Sequence, residues 1–240
     1  MDKYLEQFAL SSNQLKQLDI YFKLLIEENQ KYNLTSITDK EEVYIKHFYD
    51  SLFINLKGDE VIGDIGTGAG FPGLVLKIKY PKLKVYLIES NQKKCRFLNL
   101  VIESLNLKDV YVLNARVEDL GLEYREFFDF IVGRAVSQMR VFLELAVPFI
   151  KVEGKVLLMK GKNYQQEVDE SLSALKTLNS EIYDIIKYEL PNKLGSRVII
   201  EVLKKKKTNK LYPRTYNLIK NKPLYRVSNC NNLSHNISFL

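Results

Sequence analysis

The sequence predicts an α/β fold with a mostly parallel sheet and a helical extension in front of it. From Glu60 onward, short apolar segments alternate with helix-length segments, the pattern of parallel strands joined by crossover helices. A glycine-rich segment follows the first apolar segment, as in nucleotide-binding folds of this type. Before Glu60, apolar residues recur at helical spacing instead.

Length and composition set the class of protein. The chain has 240 residues and a mass of 28.0 kDa, enough for one catalytic domain and a smaller appendage. No apolar run is long enough to span a bilayer and no signal peptide is evident, so we expect a cytoplasmic protein. We also expect a monomer. Cys95 and Cys230 lack CxxC spacing, which argues against a disulfide framework or a metal site.

The positive charge is concentrated near the C-terminus. The net charge is +7, yet 193–226 holds eleven Lys and Arg residues against the single acid Glu201. Such a strip attracts a polyanion such as nucleic acid. The four-lysine run 204–207 can equally be a solvated tail, and the sequence leaves these two interpretations open.

Two helices are predicted before the sheet. The first carries Leu15, Leu18, Phe22 and Leu25 on one face, with cap residues at 11–13. The second begins with Thr38 and Glu41 in capping-box spacing and is ended by Gly58. Along one side it carries Val43, His47, Ser51 and Ile54.

Seven strands and three further helices are predicted after Glu60. The strands are 61–65, 84–89, 110–114, 130–133, 155–159, 182–188 and 197–203. The helices are 95–105, 141–149 and 165–178. Only the short loop PNKLGS separates the last two strands, so we expect these to pair antiparallel.

The glycine-rich segment DIGTGAGFPG, residues 64–73, carries the most specific local signal. Gly68, Gly70 and Gly73 match GxGxxG, which alone would also suit a nicotinamide dehydrogenase. Asp64 stands two residues before Gly66 and extends the motif to D-x-G-x-G-x-G. This extension favours S-adenosylmethionine, with Asp64 near the methionine ammonium group.

Glu89 supports the same cofactor. It ends the second predicted strand, 19 residues after Gly70, where a carboxylate can accept hydrogen bonds from both ribose hydroxyls. The alternative is a strand-ending surface acid beside glycines that serve only a tight turn. We therefore expect a Rossmann-like sheet of the class I S-adenosylmethionine-dependent methyltransferases, with an N-terminal helical extension. The predicted divisions are 1–57 for the extension, 58–210 for the methyltransferase domain and 211–240 for a basic, Asn-rich tail.

The type of methyl transfer is narrowed by what the candidate site lacks. The segment after the fourth strand reads DFIVGRAV, without the NPPY-like turn typical of amine methylation. Carbon methylation of a pyrimidine needs a cysteine nucleophile, and neither cysteine is well placed. A ring nitrogen such as guanine N7 is already nucleophilic and needs no general base, so positioning and electrostatics suffice.

A set of motifs in fixed order resembles one family across residues 14–223. These are YNLTSI at 32–37, HFYDSL at 47–52, the glycine segment, KKCRFL at 93–98, NARVED at 114–119, GRAVS at 133–137, LLMKG at 157–161, SRVII at 196–200 and YPR at 212–214. They are similar to those of the bacterial 16S ribosomal RNA (guanine-N7) methyltransferases, also called the glucose-inhibited division protein B family. Two departures are Glu28, where the family often has a tryptophan, and the tail after Arg226.

The resemblance implies a substrate and a set of site residues. The substrate is guanine N7 at one position in the decoding-region loop of 16S ribosomal RNA, within the small ribosomal subunit or its precursor. The cofactor-binding residues implied by the resemblance or by the local pattern are Asp64, Gly66, Gly68, Gly70, Phe71, Glu89, Val117, Glu118 and Arg134. The residues expected to face RNA are Arg116, Lys160, Arg197 and Arg214, and Arg134 and Lys160 are expected to position the reactants.

Several alternatives stay open. His47 and Asp50, three residues apart on one helix, more often make a local contact than a catalytic pair. An arginine such as Arg134, directly after a buried strand, is costly unless it meets a ligand or an anion. Arg116 could simply pair with Glu118 or Asp119. At the level of the whole chain, an RNA-binding module without catalysis and a small-molecule methyltransferase are the competing functions.

Overall fold

A computed structural model describes residues 2–134 and 136–224 of the chain. Its centre is a seven-stranded sheet in the order β3-β2-β1-β4-β5-β7-β6. The neighbours from β3 through β5 are parallel, whereas β7 is antiparallel to both β5 and β6. The strands are β1 Val61–Ile65, β2 Lys84–Ile88, β3 Val110–Leu113, β4 Phe128–Arg134, β5 Ile150–Gly161, β6 Ser180–Glu189 and β7 Ser196–Lys204.

All seven predicted strands are confirmed, including the antiparallel pairing of β6 with β7. The largest difference in length is at β5, which begins five residues before the predicted start at Lys155. The register against β4 shifts between Phe128 and Phe130, so the first part of β5 bends. A Cβ at Gly154 would lie 2.8 Å from the Asp129 carbonyl oxygen, so this bend requires glycine.

The helices cover both faces of the sheet. The long first helix α1 has the predicted cap, because Ser11 and Gln14 bond each other's backbone N–H groups in a capping box. The α-helices are α1 Ser12–Tyr32, α2 Lys40–Val43, α3 Asp50–Leu52, α4 Gly73–Lys79, α5 Gln92–Ser104, α6 Met139–Ala146, α7 Tyr164–Glu170, α8 Leu172–Thr177 and α9 Tyr216–Asn221.

The second predicted helix differs from its expected form. Asp39, not Thr38, is its cap and accepts a hydrogen bond from Glu42 N at 2.9 Å. Between α2 and α3 the chain forms a π-helical turn, Tyr44–Tyr49. The helical run ends with Leu52, so the prediction that Gly58 ends it was wrong. The wider turn brings both His47 and Asp50 into the interior.

Two other predicted helices are each interrupted in the structure. The segment 165–178 divides into α7 and α8 at Ser171, whose hydroxyl donates to Glu167 O at 2.6 Å. The segment 141–149 ends as a 3-10 turn, Val147–Phe149, because Pro148 cannot continue the α-helical hydrogen bonds.

Two apolar cores lie on opposite faces of the sheet. One joins α1, the π-helical turn, α4 and α5 to the strands, and the other joins α6, α8 and α9 to them. The N-terminal helices thus share a core with the sheet. The proposed division at residues 58 and 211 stays a prediction. No helix within the described ranges is long and apolar enough to cross a bilayer.

Candidate active site

The glycine loop leaves the end of β1 and passes directly into α4. Gly66, Gly68 and Gly70 all have positive φ, at 66°, 62° and 98°. A side chain at Gly70 would clash with the Tyr21 phenol and with Leu74, whereas a Cβ at Gly68 would only touch Gly66 O, at 3.9 Å. Glycine is therefore needed at Gly70 for packing, while Gly68 keeps space free above the loop.

Asp64 braces this loop from below. Its fully buried carboxylate accepts hydrogen bonds through Oδ2 from Thr67 Oγ1 at 2.6 Å and from Gly73 N at 2.8 Å. Its other oxygen, Oδ1, is buried and has no hydrogen-bond partner among the described residues. Burial raises the pKa of Asp64 to about 6. An ammonium group beside Oδ1 would satisfy it, and that contact stays a prediction.

Glu89 lies just beyond the end of β2 and turns toward the same loop. Its Oε2 accepts from Gly68 N at 3.1 Å and its Oε1 from Asn91 N at 2.8 Å. The carboxylate thus stands beside the glycine loop, as the sequence predicts, but the backbone already donates to each oxygen. Free lone pairs remain on both oxygens for ribose hydroxyls.

The residues predicted to border an adenine ring follow β3. Val117 is buried, and the 3-10 turn Val117–Asp119 carries both it and Glu118. Glu118 Oε1 is buried, has no hydrogen-bond partner in the part of the chain that the structure describes, and lies 3.7 Å from Arg116 Nη1. Their contact with a cofactor remains a prediction.

A cavity of about 440 Å³ opens at the carboxyl ends of β1, β4 and β5. Segments distant in sequence meet there: the loop after α1, the π-helical turn, the glycine loop and the ends of three strands. This is the edge of an α/β sheet at which ligands bind. The predicted residues on its wall are Gly66, Gly68, Phe71, Arg134, Lys160 and Arg197, and His47 and Asp50 join them.

Arg134 is the cation at the centre of this wall. Its Nη1 donates to Lys46 O at 3.1 Å and lies 3.5 Å from Asp50 Oδ2, and its Nη2 lies 3.2 Å from His47 Nδ1. The guanidinium also stands 5.1 Å over the Phe71 ring. Burial lowers the pKa of Arg134, and the carboxylates of Asp50 and Asp64 oppose that effect.

His47 and Asp50 both contact Arg134 on the cavity wall. Burial, together with Arg134, lowers the pKa of His47 to about 3, so its ring is neutral at physiological pH. The ring stacks on Phe71 with centroids 4.4 Å apart. Burial raises the pKa of Asp50, while Arg134 and a hydrogen bond from Tyr188 at 2.8 Å oppose the rise.

Two residues of this cluster were not singled out from the sequence. Thr35 lines the cavity and lies 3.0 Å from His47 Nε2. It is part of the YNLTSI motif, which was the available signal. Tyr188 lies near the end of β6, and nothing in its local pattern distinguishes it from other strand tyrosines.

The residues expected to face RNA divide into two groups. Lys160 and Arg197 lie in the main cavity, where Lys160 Nζ donates to Ser137 O and Glu167 Oε2, both at 2.7 Å. Arg116 and Arg214 instead border a second cavity of about 360 Å³, beside Tyr216. Arg214 Nε and Nη2 each donate to the buried Glu144 carboxylate at 2.7 Å.

The four-lysine run is not a uniform solvated tail. Lys204 is fully buried, donates to Ile150 O at 2.8 Å and pairs with Glu126 at 3.2 Å. The solvated interpretation is therefore wrong for Lys204, whereas 205–207 are exposed. Cys95 is buried in α5 as expected, and Cys230 and the Asn-rich tail lie outside the described residues.

Comparisons with known proteins agree with the motifs. The profile of the family described as rRNA small subunit methyltransferase G matches residues 14–193. Proteins named "Ribosomal RNA small subunit methyltransferase G" from Streptococcus pneumoniae and Leuconostoc citreum are 44% and 42% identical to this chain. The alignments cover 91% and 90% of this chain and 95% and 93% of those proteins.

Solved structures support the fold. The structure of M. jannaschii TYW2 in complex with AdoMet is similar to this chain with a TM-score of 0.54 and 20% identity, over 70% of this chain and 77% of that chain. A SAM dependent methyltransferase from Aquifex aeolicus gives a TM-score of 0.54 at 18% identity, over 74% and 98% of the two chains. The family resemblance predicted from the motifs is confirmed, and this chain belongs to the rRNA small subunit methyltransferase G family, with the fold of class I S-adenosylmethionine-dependent methyltransferases.

Proposed function

We propose that this methyltransferase transfers the methyl group of S-adenosylmethionine to N7 of one guanine in the decoding-region loop of 16S ribosomal RNA. The observation that carries the proposal is the single cavity in which the glycine loop meets Arg134, Lys160 and Arg197. A cofactor site and an anion-attracting wall are thereby adjacent. Family membership supplies the ribosomal RNA as the class of substrate.

The residues around the loop fit S-adenosylmethionine. Asp64 Oδ1 lacks a partner among the described residues, as expected of an acceptor for an ammonium group. We assign Glu89 to the ribose hydroxyls, Val117 and Glu118 to the adenine, and Gly66, Gly68, Gly70 and Phe71 to the close approach of the backbone to the cofactor. When bound, this cofactor supplies an electrophilic methyl group on a sulfonium, which an in-line nucleophile accepts.

The cavity is suited to a nucleophile that carries no proton. Guanine N7 has a free lone pair, so no residue has to remove a proton before attack. His47 fits this requirement, because with a pKa of about 3 it is a poor base. The work of the chain is then to orient the base, to exclude water and to balance charge.

Arg134 and Lys160 act as positioning residues. Arg134 ties the end of β4 to the π-helical turn through Lys46 O and His47. Lys160 ties the end of β5 to Ser137 and to Glu167 of α7. These two ties fix the wall opposite the glycine loop. Arg197 and Lys160 in the main cavity, and Arg116 and Arg214 on the wall of the second cavity, attract the RNA backbone.

The test uses labelled S-adenosylmethionine and small ribosomal subunits from cells that lack the modification. We expect label in 16S RNA, mapped by mass spectrometry to N7 of a single guanine, and no label with Gly66→Asp, whose Cβ would also press on Val136. Free 16S RNA in a parallel reaction identifies whether the assembled particle is the substrate. Absence of label with the unaltered protein, together with RNA binding that survives Gly66→Asp, would identify a binding module instead.

A further inference from the structure

The Thr35 side chain lies on the cavity wall with both acceptor positions close to donors. Its Oγ1 accepts from Ile37 N at 3.1 Å and lies 3.0 Å from His47 Nε2. A hydroxyl has two acceptor lone pairs and one donor proton. The direction of the His47 contact therefore decides what this hydroxyl can offer to a ligand.

Arg134 determines that direction. A guanidinium only donates, so the 3.2 Å contact between Arg134 Nη2 and His47 Nδ1 requires Nδ1 to be an acceptor. His47 Nδ1 also lies 3.2 Å from Lys46 O, a contact that would require a proton on Nδ1. That carbonyl is satisfied in either case, because Arg134 Nη1 donates to it at 3.1 Å, whereas only an acceptor at Nδ1 keeps the stronger, charge-assisted bond from Arg134 Nη2. The single proton of the neutral ring is consequently on Nε2, from which it is donated to Thr35 Oγ1.

This network makes the Thr35 hydroxyl a donor only. Ile37 N–H and His47 Nε2–H occupy its two lone pairs, so it cannot accept from a ligand. Its own proton has no acceptor in the hydrogen bonds found among residues 2–134 and 136–224. A neutral, one-directional donor thus lines the cavity that also holds the glycine loop.

The edge of the base that reacts indicates what this donor meets. This step rests on the proposed methylation of guanine N7. N7 and O6 are adjacent acceptors on one edge of guanine, whereas adenine has an amino donor in place of O6. When N7 faces the methyl group, O6 is the neighbouring acceptor. We propose that Thr35 Oγ1–H donates a hydrogen bond to O6 of the target guanine, with His47 as the positioning residue that keeps Thr35 a donor.

A neutral donor suits this reaction better than a cation would. N7 becomes positively charged as it takes the methyl group, so a nearby cation at O6 would oppose the transfer. Each cation that lines the cavity has a protein partner: Arg134 has Lys46 O and Asp50, Lys160 has Ser137 O and Glu167, Arg197 has Asp50, and Lys46 has Glu42. An adenine at the same position would set its amino group against the Thr35 proton, donor against donor.

The experiment compares two bases and three proteins. Small subunits are assembled with guanosine or with 2-aminopurine riboside at the target position, since 2-aminopurine keeps N7 but lacks O6. The proteins are the unaltered chain, Thr35→Val and Thr35→Ser. Loss of O6 should lower kcat/KM of the unaltered protein on the order of 10- to 100-fold. On guanosine, Thr35→Val should lower kcat/KM by a similar factor, while Thr35→Ser stays active. On 2-aminopurine, kcat/KM of Thr35→Val should be little lower than that of the unaltered protein.

This cycle separates recognition from structural damage. Thr35→Val also leaves the donors of His47 and Ile37 without their acceptor, and that damage lowers activity on both bases alike. Equal losses on the two bases, or no loss on guanosine, would overturn the inference and leave the proposed function intact. If the unaltered protein methylates neither substrate, the proposed function itself fails.

The role of His47 has a readout independent of activity. The chain contains two histidines, so ¹⁵N NMR with His235→Ala assigns the His47 ring nitrogens directly. We expect the Nε2–H tautomer at neutral pH; the Nδ1–H tautomer would overturn the assignment. His47→Phe retains a ring on Phe71 but frees a Thr35 lone pair, so discrimination between guanosine and adenosine at the target should fall about 10-fold. Unchanged discrimination would contradict the positioning role.

Discussion

Tyr188 donates its phenolic proton to Asp50 across 138 positions of sequence, with 2.8 Å between Oη and Oδ1. Asp50 is buried, and its other oxygen lies 3.5 Å from Arg134 Nη1. A third donor, Arg197 Nε, lies 3.8 Å away. The end of β6 therefore holds the carboxylate that orients the two arginines of the cavity.

Replacing Tyr188 by Phe should remove one hydrogen bond to the Asp50 carboxylate while an aromatic ring still fills the position. The ring stack on Phe53, 3.8 Å between centroids, is kept, while a donor to a buried charged group is lost. We expect a loss of stability of about 1.5–3 kcal/mol. Because the Tyr188 bond lowers the pKa of Asp50, its removal raises that pKa further, and methylation should fail at a higher pH on the acid side.

The measurement is the pH profile of kcat/KM together with urea unfolding. Tyr183→Phe is the matched control, since Tyr183 is on the same strand and 59% exposed. Its profile should coincide with that of the unaltered protein. A Tyr188→Phe profile with an unmoved acid limb would remove Asp50 from the positioning of the arginines.

The sheet could be predicted from the sequence because each strand is a local pattern. Segments such as Val61–Ile65 are short and largely apolar, and the lengths between them suit crossover helices. The glycine loop and Glu89 were also predictable, since both lie at strand ends. The sequence patterns that indicate these features are local, so they can be interpreted without knowing which residues are close in space.

The cluster around Asp50 could not be predicted in this way. Thr35, Arg134 and Tyr188 come from three separate parts of the chain, and no local pattern relates them. The π-helical turn Tyr44–Tyr49 adds a further cause, because it changes which residues of that helix face inward. The two interpretations of the four-lysine run could not be separated from the sequence for a similar reason: Lys204 ends β7 inside the fold, whereas 205–207 follow the end of the strand.

Asp64 should make cofactor-free stability depend on pH. Its pKa is about 6 in the folded protein against 3.8 ordinarily, so between pH 4 and 6 the folded state binds more protons than the unfolded state. Stability conferred by this group is therefore lost as the pH rises through that window, by about 3 kcal/mol. An ammonium beside Asp64 would favour the charged form, so cofactor affinity should increase over the same range.

Asp64→Asn isolates this effect. Urea unfolding at pH 4 and pH 7 should show that the variant lacks the part of the pH dependence due to Asp64. Other groups, including His47, contribute equally to both proteins, so the difference between the two curves is the quantity to examine. Calorimetry with S-adenosylmethionine at both pH values tests the affinity. Parallel stability curves for the two proteins would contradict the raised pKa.

Alanine substitutions at two glycines of the loop should have different effects, one on stability and the other on cofactor binding. Both have positive φ, which costs alanine on the order of 1 kcal/mol at either position. At Gly70 the new methyl group would also clash with Tyr21 and Leu74, so Gly70→Ala should lower the thermal midpoint strongly. At Gly68 the methyl group would only touch Gly66 O, at 3.9 Å, so the fold should survive while cofactor binding is lost.

Thermal unfolding with and without S-adenosylmethionine distinguishes these outcomes. Gly68→Ala should unfold near the temperature of the unaltered protein and show no shift on adding cofactor. A normal cofactor shift in Gly68→Ala would place the cofactor away from this face of the loop. Equal destabilisation of the two variants would show that the Tyr21 contact does not decide the need for glycine at position 70.

Arg116 and Arg214 border the same cavity, but neutralising each of them should change the stability of the protein by very different amounts. Arg116 is 57% exposed, with a guanidinium 5.3 Å over Tyr216, so Arg116→Gln should leave the fold intact. Arg214 neutralises the fully buried Glu144, and Arg214→Gln would leave that carboxylate without its cation. We expect a loss of about 3–5 kcal/mol for Arg214→Gln and little for Arg116→Gln.

Binding to small-subunit RNA across a salt series completes the comparison. If Arg116 meets a phosphate, Arg116→Gln should weaken binding and reduce the slope of log K against log salt by about 1. The double variant Glu144→Gln with Arg214→Gln removes the uncompensated charge and should recover much of the stability. The double variant then shows whether Arg214 contacts RNA as well. An unchanged salt slope in this folded variant would restrict Arg214 to holding the end of α9 on α6, through Lys222 O and Glu144.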